Sequence, residues 1–178
     1  MFKTNLTVLA IIFLSVLTIS SCGDAEAKKE GPKTAPTEAP KKAEAPKKAE
    51  APTDNGVTNL ELSGNDAMQY DKTELIVKAG SKVKLTFKHT GKMPVTAMGH
   101  NFVLLKLGTD IADFASKAIA AKDNDYIPES DAIIVHTKMI GGGESVEITF
   151  DAPAKGTYDY ICSFPGHYGV MKGKFIVE

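Results

Sequence analysis

From Val57 to the end of the chain, apolar residues recur at every second position in short runs broken by turn residues, and this period constrains the fold more than any other feature. Leu60-Glu-Leu62, Val83-Lys-Leu-Thr-Phe-Lys-His89 and Val146-Glu-Ile-Thr-Phe150 each place apolar side chains on one face and polar ones on the other, as strands with one buried face require. Leu75–Val77, His100–Leu105, Ala132–His136, Thr157–Ile161 and Lys174–Val177 are further strand candidates, punctuated by Gly80, Gly91, Gly108, Gly141 to Gly143 and Gly156. Seven to eight strands in about 120 residues predict an all-β fold, an antiparallel Greek-key sandwich. One stretch departs from the period. Between Thr109 and Lys122, residues Ile111, Phe114, Ala115, Ala118 and Ile119 share a helical face behind Thr109 as N-cap, predicting one short helix packed on the sandwich.

Upstream of Val57 the chain changes character twice. Residues 1–21 read as a lipoprotein signal peptide, with Lys3 near the start and an apolar run, Leu9 to Leu17, too short to span a bilayer comfortably. The run closes in Leu17-Thr-Ile-Ser-Ser-Cys22, which resembles a bacterial lipobox, so Cys22 is expected to carry lipid. Each buried CH₂ of an acyl chain contributes about 0.8 kcal/mol, enough for several chains to anchor a protein that does not span the membrane. Residues 22–56 are rich in Ala, Pro, Lys and Glu and repeat Pro-Lys-Lys-Ala-Glu-Ala at 40–45 and 46–51. With no aromatic and no Val or Ile between Gly23 and Asn55, this stretch cannot offset its ordering entropy by burial and reads as a tether. Extended in polyproline II it would reach on the order of 100 Å. The globular domain is therefore expected over 57–178, and Gly23 after the cysteine points, by analogy with lipoprotein sorting, to the outer membrane.

The chain has 21 basic residues, all lysine, against 22 acidic ones, so with neither arginine nor a basic patch in the domain nucleic acid is excluded as a partner. Its two cysteines are more informative. With Cys22 committed to lipid, Cys162 is left alone, and no disulfide can form inside the domain despite the oxidising compartment that export implies. A lone thiol there is a liability unless something occupies it. In CSFPGHYGVMKG, Cys162, His167 and Met171 fall at i, i+5 and i+9 between two strands, and Phe164-Pro-Gly166 supplies a turn that folds them around one point. Thiolate, imidazole and thioether form a soft set suited to copper, and Cys-His-His with a weak axial Met is the signature of electron-transfer copper. The second histidine must be His89, His100 or His136. Met98-Gly-His-Asn101 favours His100, because Gly99 allows its carbonyl to approach a metal closely. His89 reads instead as a satisfied, partly buried strand histidine, His136 as structural or solvated, and Met68 and Met139 as core filler.

Four motifs carry a wider similarity: Ser63-Gly-Asn-Asp-Ala-Met-Gln69, Met98-Gly-His-Asn101, His136-Thr-Lys-Met-Ile-Gly141, and Cys162-Ser-Phe-Pro-Gly-His167 with Met171-Lys-Gly173. On these the domain resembles the azurins, the bacterial blue copper proteins of the cupredoxin family, and the lipobox and tether add a likeness to their lipid-modified forms. The resemblance implies one type 1 copper per chain, with His100, Cys162 and His167 as strong ligands and Met171 and the Gly99 carbonyl as distant axial ones. It also implies that Asn101 braces the two ligand loops and that His89 lies near the metal, while Phe164 and Pro165 are read as closing the ligand loop. The family's usual disulfide is missing, with Thr58 and Ser81 at the aligned positions, and Phe102 stands where a tryptophan is common.

The function implied is one-electron transfer, with Met93, Ala97, Met98, Pro165 and Val170, joined by Phe164 and Gly169, as an apolar docking patch around His167. A c-type cytochrome, a nitrite reductase or a peroxidase would each suit as partner to a monomeric, periplasm-facing carrier. Copper storage or delivery is the alternative, and a metal-free binding sandwich a third reading. An enzyme is disfavoured, because the ligand set leaves no open position on the metal.

Overall fold

The computed structural model describes Ala49–Glu50, Thr53–Asp54 and residues 56–178, all within one unit of the chain, Ala43–Glu178. The segments read as signal peptide and, for the most part, as tether lie outside the described residues, as does Cys22. In chain order the elements are β1 (Ala49–Glu50), β2 (Thr53–Asp54), β3 (Val57–Asn65), β4 (Gln69–Tyr70), β5 (Glu74–Val77), β6 (Lys82–His89), the single turn α1 (Val95–Met98), β7 (Val103–Leu105), α2 (Ile111–Ala120), β8 (Ile133–His136), β9 (Ser145–Asp151), β10 (Gly156–Ile161) and β11 (Lys172–Val177). Every expected strand is present, most of them longer than the alternating run that announced it. His100 is the exception: it precedes β7 and pairs with Ile140 in an isolated bridge.

One sheet runs β1-β5-β11-β10-β7-β8 and the other β2-β3-β6-β9, with β4 folded back on β3. Antiparallel pairing prevails, but β1–β5, β3–β6 and β5–β11 are parallel, so both sheets are mixed. The reason lies in the crossovers. After β3 the chain visits the other sheet at β5 before returning to β6, and a strand that comes back from such an excursion can run alongside its predecessor. β1 and β2 fall within the stretch that composition assigns to the tether. There Ala49 faces Leu75 and Thr53 faces Thr58. Such edge pairing uses only backbone groups and needs no apolar side chain.

Alternation delivers the core. Leu60 and Leu62 of β3 and Val83, Leu85 and Phe87 of β6 are buried against Leu75, Tyr160, Phe175 and Val177 of the facing sheet. Phe102 is fully buried in this core, its ring centroid 5.3 Å from that of Tyr160. β7 is buried on both faces. Leu104 joins the core between the sheets, whereas Val103 and Leu105 pack with Phe114 of α2, Ile127 and Ile161 in a second cluster. The helix thus covers one sheet as expected, with two differences in detail. Its N-cap is Asp110, whose Oδ1 accepts the Ala112 and Asp113 N–H groups at 2.9 and 3.0 Å, while the Thr109 hydroxyl donates to the Lys106 carbonyl. Ile119 is exposed, because the buried stripe narrows to Phe114, Ala115 and Ala118.

Met68 is not core filler either. It is half-buried at the turn between β3 and β4, with φ 56°, a left-handed conformation supported by Asn65, whose Oδ1 accepts the Ala67 and Gln69 N–H groups. Met139 is buried, as expected.

Thr58, on the core-facing side of β3, is buried with its hydroxyl oxygen lacking any hydrogen-bond partner among the described residues. An orphaned buried hydroxyl costs about 1–3 kcal/mol, so Thr58→Val should stabilise the domain by about 1 kcal/mol. A higher urea midpoint at unchanged slope is the expected result, and a lower one would contradict it.

Candidate metal centre

The site lies at one end of the sandwich, where three connections meet. Residues 99–101 enter from α1 toward β7, residues 162–171 connect β10 to β11, and the turn between β3 and β4 packs against them. Cys162 follows directly on β10, its backbone N–H donating to the Met171 carbonyl at 3.0 Å. The loop between them folds back through two more bonds, from the Met171 and Val170 N–H groups to the His167 carbonyl, and Gly166 takes φ 84° at its tip.

These bonds bring His100, Cys162 and His167 together, with one ligand atom from each lying within 4.8 Å of the others. The Cys162 sulfur is 3.9 Å from His100 Nδ1 and 3.6 Å from His167 Nδ1, and 3.9 Å from the Gly99 carbonyl oxygen. Metal–nitrogen and metal–sulfur bonds of about 2.1 and 2.3 Å at trigonal angles would separate S and N by about 3.8 Å, so the donor set fits a single first-row metal ion at its centre. Cys162 and His100 are fully buried and His167 is 3% exposed.

The inward-facing lone pair of His100 has an identifiable cause. His100 Nε2 is 2.8 Å from the Asn65 carbonyl, which can only accept, so Nε2 carries the proton and Nδ1 is left free for a metal. Behind His100 lies His89, stacked at 4.3 Å and 13°. Its Nε2 donates to the Met98 carbonyl and its Nδ1 accepts from the Gly91 N–H, so this imidazole is fully satisfied and buried, as expected of a supporting rather than a ligating residue. His136, the remaining candidate, is exposed on β8. Asn101 bonds Ser163 twice, Nδ2 to its hydroxyl at 2.8 Å and Oδ1 from its N–H at 2.9 Å, and so joins the two ligand loops. Phe164 packs on the His167 ring at 4.6 Å and is met in turn by the edge of Tyr126.

Two glycines matter for space rather than conformation. A Cβ on Gly99 would lie 2.6 Å from the Val95 carbonyl oxygen and 2.8 Å from Met139 Cγ. One on Gly64 would lie 2.6 Å from the Met171 methyl carbon and 2.9 Å from His100 Cδ2, which places the end of the buried Met171 side chain beside the His100 ring. The motif Ser63–Gln69 thereby acquires a role that the sequence did not disclose. Gly64 makes room, the Asn65 carbonyl orients His100, and the Asp66 carboxylate accepts the Lys92 and Met93 N–H groups ahead of α1. Only a backbone carbonyl and a missing side chain act here on the ligands themselves, and neither leaves a mark in residue chemistry.

Of the docking candidates, Met93, Ala97 and Val170 are exposed, while Met98, Phe164 and Pro165 are half-buried. Val95, absent from the sequence reading, is exposed as well and shares with Thr96, Tyr126, Met139 and Phe164 a cleft of about 270 Å³. α1 and the ligand loop therefore border one surface.

Burial dominates the site's electrostatics. It pushes the Cys162 thiol up to about 12, although the Asn101 and Phe164 N–H groups act in the opposite direction. Burial also brings His167 down to about 4, with His100 and His89 adding to the effect, and lowers His100 despite its bond to Asn65. Without metal the centre is a neutral thiol between two neutral imidazoles. The unfolded chain then binds protons on these histidines below about pH 6.5 that the folded one refuses, so metal-free stability should fall as pH drops from about 6.5 toward about 4. The thiol works at the other end, folded protein holding a proton that the unfolded chain releases, so stability should also fall above about pH 9. Urea midpoints across this range check both limbs, and a His167 NMR titration near 6.5 would contradict the first.

Comparison with known proteins agrees with this geometry. The profile of the family described as copper binding proteins, plastocyanin/azurin family, matches residues 57–178. Azurin-1 of Alcaligenes xylosoxydans xylosoxydans is 44% identical over 121 residues, covering 65% of this chain and 93% of that protein. Outer membrane protein H.8 of Neisseria meningitidis serogroup B is 42% identical over 118 residues, 64% of this chain and 63% of that protein. Among solved structures, auracyanin A, described as a "blue" copper protein of Chloroflexus aurantiacus, superposes with a TM-score of 0.64 at 38% identity, covering 69% of this chain and all of its own.

Proposed function

The chain belongs to the plastocyanin/azurin family of copper-binding proteins, and from that premise we propose that it is a lipid-anchored carrier passing single electrons between redox proteins of the bacterial envelope. Its cofactor is a type 1 copper held by His100, Cys162, His167 and Met171, and it is an electron carrier rather than an enzyme. Copper supplies the one-electron couple. Everything else would fall to the chain: Cys162 would give up its proton on binding, His100 and His167 would offer their Nδ1 atoms, and Met171 and the Gly99 carbonyl would complete the set of groups around the metal. Asn101 keeps the two loops in register by its pair of bonds to Ser163, so the donor atoms need not rearrange between oxidation states.

The observation that carries this reading is the burial of three convergent donors at separations that suit one metal. Copper storage or delivery would be better served by exposed, exchangeable ligands, and here Phe164 and the loop bonds enclose them. Electrons would pass through His167, at the edge of the surface formed by Met93, Ala97, Met98, Pro165 and Val170, with Val95 added. Small apolar surfaces of this kind suit brief docking, and a c-type cytochrome, nitrite reductase or peroxidase is the class of partner expected. Lipid on Cys22 would hold the protein, as a monomer, to the periplasmic side of the outer membrane. The resemblance to a protein named for the outer membrane supports that location.

Copper(II) added to the purified protein should give an intense blue from thiolate-to-copper charge transfer, together with reversible voltammetry. Cys162→Ser should abolish the colour, and a colourless wild type would overturn the reading. Anchoring has its own test: Cys22→Ser, expressed in a Gram-negative host, should move the protein from the membrane to the soluble fraction, whereas unchanged fractionation would refute the lipid anchor.

A further inference from the structure

β4 is only two residues long, yet its second residue reaches the metal centre from behind. The Tyr70 hydroxyl donates to the Asn101 carbonyl at 2.6 Å. Asn101 is fully buried, and its side chain bonds Ser163, the residue after Cys162, twice. The Tyr70 ring is held in turn by Phe87, edge-on at 6.0 Å, and by Tyr160 at 5.4 Å. Burial raises the Tyr70 phenol well above its usual range, so it remains a hydrogen-bond donor at any working pH. Backbone pairing of Gly64 with Tyr70 fixes this phenol to the same turn whose Asn65 carbonyl orients His100.

We propose that Tyr70 is a positioning residue for the copper centre: its hydroxyl fixes Asn101, so that the paired Asn101–Ser163 bonds hold the Cys162 and His100 loops in register and thereby set the reduction potential. The inference rests on the copper-carrier reading above. When that brace slackens, donors free to rearrange would favour the tetragonal coordination that oxidised copper prefers, and the potential would fall.

The test compares Tyr70→Phe with Tyr160→Phe in the full mature chain. Both changes keep the aromatic ring and remove one buried hydroxyl. Tyr160 bonds the Lys72 carbonyl, away from the ligands, and so controls for loss of stability alone. Tyr70→Phe should lower the midpoint potential and shift the blue charge-transfer band, while Tyr160→Phe should leave both at the wild-type value. In metal-free protein, exchange of the Asn101 amide proton should quicken roughly tenfold in Tyr70→Phe only, the factor by which one net hydrogen bond changes an opening equilibrium. An unmoved potential in Tyr70→Phe, or equal shifts in both variants, would overturn the proposal. A wild type that takes up no copper would defeat the carrier reading instead, and amide exchange would still decide whether Tyr70 holds Asn101.

Discussion

A thiol enclosed with two imidazoles in an apolar end of a sandwich is a poor place for a charge, and much of this structure serves to keep it there. Burial holds the Cys162 proton on and the His100 and His167 protons off, so the metal-free centre consists of neutral groups facing each other across less than 5 Å. A cation resolves that arrangement, because it replaces the thiol proton and accepts both nitrogen lone pairs at once. The fold must therefore provide a cavity that is already the right size, bounded by elements that do not collapse when it is empty.

That boundary comes from both sheets. Cys162 and Met171 belong to the connection between β10 and β11, and His100 to the chain entering β7, all in one sheet, while His89 and the Gly64–Asp66 turn project from β6 and β3 of the other. The stacked pair His89–His100 spans the two. With no disulfide within the domain, the sheets are held without a covalent link, by the buried core, Phe87, Phe102, Tyr160 and Phe175 in particular, and by contacts such as that stack and the bonds of His100 to Asn65 and Tyr70 to Asn101. The centre and the core are thus one packing problem, since Cys162 and Met171 are themselves members of the core cluster.

Much of this was legible in the sequence. Period-two alternation identified each long strand, because a strand with one wet face leaves that pattern whatever its partners. Lone Cys162 with His167 and Met171 at fixed intervals identified the ligand loop, because soft donors on one short loop have few other uses. The pattern failed at pairing direction, since alternation describes the faces of a strand and not its neighbours, and at the helix cap, where Thr109 and Asp110 are both plausible and only the side-chain bonds distinguish them. It also failed at Met68, where a hydrophobic residue serves a left-handed turn.

What the sequence determined by itself, then, is the donor set, the period of the strands and the composition of the segments that precede them, all of which are properties of residues in order. What only the tertiary structure decided is which distant groups act on the donors: the Asn65 carbonyl on His100, the space left by Gly64 beside Met171, the Asp66 carboxylate on the loop ahead of α1, and the Tyr70 hydroxyl on Asn101. The physical reason is that most of these contacts involve a backbone atom or an absent side chain, brought near by strands some thirty residues apart, and a backbone carbonyl reads the same at every position until the chain has folded.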